Sequence, residues 1–163
     1  MGWERSFATY AADVDDFAAF ECWDGDPATP WIAEVEDYVR VSALRHALFN
    51  VAFWDEQGKL VAASAFDPQP VRMPLCSPSE SPGWKLQALA ISLEHQAQGR
   101  STEVFAETFA AMREADARRT LVTASLHREH TRSRKACERA GLTILLPGPE
   151  FHILLGEVPG HGD

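Results

Sequence analysis

LQALAISLEHQAQGRSTEVF, residues Leu86 to Phe105, sets the reading of the whole chain. Its first part is strongly apolar and reads as a strand, Trp84 to Leu93. Its last part opens an amphipathic helix in which Val104, Phe105, Phe109 and Met112 form one face. Glu103 and Glu107 lie in the first turns, where the helix dipole favours acids. Between them a polar stretch holds Gln96, Gly99 and Ser101. Ser101 or Thr102 would serve as an ordinary helix cap, but a cap alone explains neither the glycine nor the glutamine. A helix N-terminus carries unpaired N–H groups and the positive end of the dipole, which together suit an anion. Glycine lets the backbone approach such an anion closely. The stretch Gln96-Ala97-Gln98-Gly99-Arg100-Ser101 is therefore suited to a phosphate or diphosphate, to which Arg100 would add charge. It has neither GxGxxG nor the lysine and hydroxyl of a P-loop, so dinucleotide binding by the usual fingerprint and nucleotide hydrolysis are disfavoured.

Working outward, FATY starts a short strand, and an acidic segment with Phe17, Phe20 and Trp23 follows. Asp24 to Pro30 reads as a loop. From Trp31, the residues Val35, Tyr38, Val39 and Leu44 mark an amphipathic helix that ends near Arg40 or Ser42. NVAFWDEQGKLVAASAF, Asn50 to Phe66, reads as a β-hairpin turning at EQGK. Asp67 to Gly83 holds five prolines and reads as a long loop, expected either to gate a substrate or to join a homodimer. Downstream, RTLVTASLH is a strand, and HTRSRKACERAGL is a basic helix with Gly141 as its C-cap. TILL, the turn PGPE and FHILLGEV form a closing hairpin. The order predicts an α/β fold with a mixed, largely antiparallel sheet in a single domain spanning residues 1–163.

Length and composition narrow the function classes. A chain of 163 residues with 45% hydrophobic residues and five tryptophans can bury a core. No apolar run approaches the roughly 20 residues that cross a bilayer, so no membrane partner and a cytoplasmic location are expected. Three widely spaced cysteines, Cys22, Cys76 and Cys137, suit reduced thiols rather than a disulfide framework or zinc. The net charge of −9 disfavours nucleic acid as a partner and favours an amine-bearing one.

The quoted stretch resembles the coenzyme A-binding motif of the GNAT superfamily of N-acetyltransferases, in which a strand leads into (Gln/Arg)-x-x-Gly-x-(Gly/Ala). Gln96 and Gly99 match, and Ser101 replaces the final small residue. The segment HTRSRKACERAGL resembles a later family segment, Asn-x-x-Ala-x-x-Leu-Tyr-x-Lys-x-Gly-Phe. Aligned on Gly141 and Leu142, His130 takes the asparagine place, Ser133 the alanine, Ala136 the leucine and Arg139 the lysine. Cys137 stands where the family has the tyrosine that often protonates the leaving thiolate. The resemblance covers residues 50 to 157 well; before about residue 45 it extends only to the order of elements.

The resemblance implies a GNAT-like fold whose sheet splays between two central parallel strands, acetyl-CoA as cosubstrate, and direct acetyl transfer to the amine of a small molecule or peptide. It places Ile91 beside the pantetheine arm and the backbone from Ile91 to Leu93 near the thioester. The amides of Ala97, Gln98, Gly99, Arg100, Ser101 and Thr102 would hold the diphosphate. Cys137 becomes the candidate acid, although an S–H group is a weak donor and a small buried cysteine is commonly structural. Glu94, His127 and His130 are candidate bases, histidine because it titrates near neutrality. No metal is expected, since HREH lacks the HExxH spacing and has no further ligand cluster. The absent tyrosine motivates an alternative, a catalytically inactive acyl-CoA sensor or partner-binding module. FECWDG, with Trp31 beyond it, also resembles the N-terminal part of toxin-like acyltransferases that modify aminoacyl-tRNA, a reading the net charge opposes.

Overall fold

In the computed structural model, residues 2–8, 10–45, 49–72 and 80–160 are described. Cys76 and the middle of the proline-rich stretch lie outside them. The strands β1 (Glu4–Phe7), β2 (Phe49–Trp54), β3 (Leu60–Pro68), β6 (Gly83–Ile91), β7 (Leu121–His127), β8 (Thr143–Leu146) and β9 (Phe151–Glu157) form one seven-stranded sheet in the order β1-β2-β3-β6-β7-β9-β8. Among the described residues four α-helices complete the α/β architecture: α1 (Tyr10–Ala18), α2 (Pro30–Ser42), α3 (Ser101–Ala115) and α4 (Thr131–Arg139). The sheet is mixed: β6 and β7 run parallel in its middle, while β1–β2, β2–β3, β7–β9 and β8–β9 are antiparallel.

The parallel ladder pairs Gly83–Leu86 with Leu121–Ala124 and stops there, while β6 continues to Ile91 and β7 to His127. Two compact units divide at the same point in β6. One comprises Met1–Phe66 with Gln87–Val104, the other Asp67–Leu86 with Phe105–Asp163.

In the first unit, α1 and α2 cover a core of Phe17, Phe20, Val39, Ala52, Leu60, Ala63, Ala88 and Ala90. The strand alanines keep the packed surface low, which leaves room for Phe17 and Phe20 to be buried against it. Ile32, Val35, Tyr38 and Trp54 pack at its margin, and Phe53 is fully buried. These aromatic residues are core and core rim. The hairpin turns where expected: the Asp55 carboxylate accepts the N–H groups of Gln57 and Lys59, and Gly58 takes φ +76°, a left-handed value natural to glycine.

In the second unit, Trp84, Phe109, Met112, Val122, Leu142 and Leu154 are buried. The Arg119 guanidinium lies 5.6 Å from the centre of the Trp84 ring and donates to the Gly83 carbonyl at 3.1 Å.

Three expectations are corrected. The acidic segment is a helix, α1, because Phe17 on one side is fully buried while Asp15 and Asp16 point to solvent. The first strand lies earlier than FATY, at Glu4–Phe7, in register with β2. The proline-rich stretch carries a small antiparallel pair, β4 (Val71–Arg72) with β5 (Glu80–Ser81), closed by an Arg72–Glu80 ion pair at 2.7 Å.

Candidate functional site

Strand β6 ends at Ile91, two residues sooner than the apolar run suggests: the Ser92 amide still reaches the neighbouring β3, but the Leu93 amide turns away from the sheet. Ser92 N–H donates to the Val61 carbonyl at 2.8 Å and Leu93 N–H to the Glu21 carbonyl at 2.9 Å. A 3-10 turn, Leu93–His95, follows. The amides of Ser92 and Leu93, expected as donors toward a thioester, are therefore taken up inside the protein. Leu93 itself is 42% exposed. The Ser92 hydroxyl is buried with no hydrogen-bond partner among the described residues, a state that costs roughly 1–3 kcal/mol unless something else bonds it.

Gln96 braces the loop rather than extending from it. Its side-chain amide donates to the Cys22 carbonyl at 2.8 Å and to the Ile91 carbonyl at 2.9 Å. Beyond it, Ala97 takes φ +60° and Gly99 φ +74°. A left-handed alanine costs about 1–2 kcal/mol, so the loop is held in this shape by its surroundings. Alternating left-handed residues turn successive N–H groups to one side and make an anion-binding concavity.

The first α3 bond, Val104 N–H to the Arg100 carbonyl at 3.1 Å, makes Arg100 the N-cap residue. The amides of residues 97–102 have no protein acceptor among the described residues. Ala97, Gln98, Gly99 and Thr102 are exposed, Ser101 is half-buried, and a Cβ built on Gly99 would meet nothing within 4 Å. The geometry fits a diphosphate.

Arg100 is pre-positioned by residues the sequence reading had not singled out. Its guanidinium lies 4.3 Å from the centre of the Trp3 ring and 3.5 Å from the Glu103 carboxylate. The His95 ring meets Trp3 edge-on at 5.4 Å. Nothing local marks Trp3, which is almost a hundred positions from its partner.

The candidate bases fare differently. Glu94, exposed, is bonded by the Lys59 ammonium from the β2–β3 turn, and that hydrogen bond holds its carboxyl below the usual range. In the second unit, His127 ends β7. Its Nδ1 accepts the Glu129 N–H at 3.2 Å, and its ring meets Phe151 edge-on at 5.6 Å. His130 precedes α4 with Nε2 3.0 Å from the Ser133 hydroxyl, and burial, with Arg132 nearby, pushes its pKa down to about 4. Such a histidine is neutral at pH 7 but a weak base.

Cys137 is buried in the last turn of α4, and burial pushes its thiol up to about 12. Its carbonyl accepts the Leu142 N–H at 2.9 Å while the Glu138 carbonyl accepts the Gly141 N–H at 3.0 Å, with Gly141 at φ +96°. This is the Schellman closure that the glycine foretold. A thiol with a pKa near 12 is poorly matched to protonating a leaving thiolate whose own pKa lies near 8.5. Among the described residues no group of three or more His, Cys, Asp or Glu could hold a metal, and no helix is long and apolar enough to cross a membrane.

No family model matches the chain, and no curated protein does. Solved structures do. A bacterial toxin superposes with a TM-score of 0.73 at 16% identity, covering 96% of this chain and 90% of the other. AtaT complexed with acetyl-methionyl-tRNAfMet gives 0.69 at 15% identity over 95% and 94%. A Desulfovibrio desulfuricans protein assigned to the GNAT acetyltransferase family gives 0.62 at 16% identity over 96% and 99%. At these identities the likeness speaks of fold alone.

Proposed function

We propose, from the GNAT acetyltransferase fold that this chain adopts, that the whole chain works as one N-acetyltransferase domain moving an acetyl group from acetyl-CoA to a primary amine. One observation carries the reading: the run of amides at residues 97–102, without an acceptor among the described residues, at the head of α3. Acetyl-CoA would supply the activated acyl group; AtaTR has been solved with acetyl-CoA bound. The chain's own part is positioning. Amides of Ala97 to Thr102 and the Arg100 guanidinium would serve the diphosphate. In the transfer a C–N bond forms and a C–S bond breaks, and one proton leaves nitrogen while another reaches sulfur. Of the candidate bases, Glu94 is paired with Lys59 and His130 is depressed, which leaves the role to His127 at the end of β7. Cys137 is assigned a packing role, and water is the proton source for the thiolate.

An acceptor amine carried on an aminoacyl-tRNA is a second reading, favoured by charge distribution. The net −9 is uneven: residues 1–66 carry twelve acidic and four basic side chains, and residues 113–141 carry eight basic and four acidic. Arg132, Lys135 and Arg139 are exposed along one stripe of α4, suited to a phosphate backbone.

The test is calorimetric titration with coenzyme A, followed by thiol release from acetyl-CoA over a panel of small amines, peptide N-termini and aminoacyl-tRNA. Binding with turnover on one class is expected. Binding without turnover on any class favours an acyl-CoA sensor, and no binding at millimolar coenzyme A overturns both.

A further inference from the structure

The segment Phe20–Trp23 has no regular secondary structure, yet its backbone is held at almost every polar group. The Glu36 carboxylate, buried on α2, accepts the N–H groups of Cys22 and Trp23, each at 2.9 Å. Its other oxygen lies 3.2 Å from Arg40, whose Nε donates to the Phe20 carbonyl at 2.8 Å. The next two carbonyls are held from another part of the chain. That of Glu21 accepts the Leu93 N–H, and that of Cys22 accepts the Gln96 side chain. The strap thus connects a buried carboxylate on α2 to the turn that launches the amide loop. Glu36 holds the N–H side of Cys22 and Gln96 holds its carbonyl.

A buried carboxylate with two backbone donors and a guanidinium is fixed in one geometry, because losing any partner leaves charge unmatched in a poorly solvated place. The loop it supports is strained, with Ala97 left-handed. We propose that Glu36 is a positioning residue for the cosubstrate loop, acting through the Phe20–Trp23 strap, and that occupancy of the loop tightens the strap in return. The reciprocity is thermodynamic: if the strap favours the binding shape of the loop, a ligand on the loop favours the strap. The inference rests on the proposed role of residues 97–102.

Hydrogen exchange of the wild-type chain with and without coenzyme A tests it first. Slower exchange at the amides of Cys22 and Trp23 on binding is expected. Calorimetry then compares Glu36→Gln, Gln96→Leu and the double variant. Each single change is expected to weaken coenzyme A binding about tenfold, and the double variant to be little worse than either. That non-additivity in affinity is a readout that a merely stabilising role for Glu36 would not give. Coenzyme A bound with unchanged exchange at Cys22 and Trp23, or additive losses in the double variant, overturns this inference alone. No binding by the wild-type chain overturns the cosubstrate reading and this one with it.

Discussion

Two stretches of this chain resemble the same family, yet they have folded into opposite physical states. Around residues 97–102 the backbone runs through left-handed turns, and successive amides have no protein acceptor among the described residues. Around residues 127–142 the polar groups are taken up: His127 by Glu129, His130 beside Ser133, and the Cys137 carbonyl by the helix closure at Leu142. One segment is poised for a ligand, and the other is finished as a packed helix with its thiol sealed inside. Motif resemblance alone does not separate a binding element from a framework element; the bookkeeping of hydrogen bonds does.

The largest expected effect that would break this contrast is at Gly99. At φ +74° a β-branched side chain is strained by about 2 kcal/mol, with no neighbour to blame since the space is open. Gly99→Val is expected to raise the coenzyme A dissociation constant at least about tenfold in calorimetry. Unchanged affinity would mean the open amides serve no ligand.

The sealed segment should reveal itself in acid. His130, ordinarily near 6.5 and here about 4, binds a proton more readily unfolded than folded. Its stabilising effect is complete above pH 6.5 and is lost as pH falls toward 4. Discounted for partial exposure, the loss is about 1–2 kcal/mol, read by urea unfolding at pH 7 and pH 4.5. His130→Gln should flatten that part of the profile, and an equally steep profile in the variant would place the proton elsewhere.

The smallest expected effect on rate is at Cys137. Removing a working general acid costs on the order of 10²–10⁴ in rate, whereas Cys137→Ala is expected to change kcat less than about threefold. Its cost falls on stability, about 1 kcal/mol from the lost packing. A large fall in kcat at unchanged stability would return the proton-donor role to the thiol.

Much of the framework could be read directly. The β2–β3 hairpin, the passage from β6 into α3, and the glycine closure of α4 each carry local signals: alternation, a 3.6-residue stripe, a glycine at a left-handed cap. Helix α1 escaped because its few apolar residues are diluted by aspartates, and only the burial of Phe17 against alanines from β2, β3 and β6 declares it a helix. In the site, Gln96, Gly99 and Arg100 were legible, but Trp3 and Glu36 were not, since each acts on residues far away along the chain.

By itself, then, the sequence determined what short-range forces govern: the period of each element, the caps, and the glycine that lets a loop turn ahead of a helix. Tertiary structure decided which polar groups are spoken for. That Leu93 bonds Glu21, that Lys59 occupies Glu94, and that Cys137 is buried with its thiol pushed up to about 12 all depend on contacts made only once the chain has folded. Availability and acidity are set by desolvation and by partners, and both arrive from elsewhere in the fold.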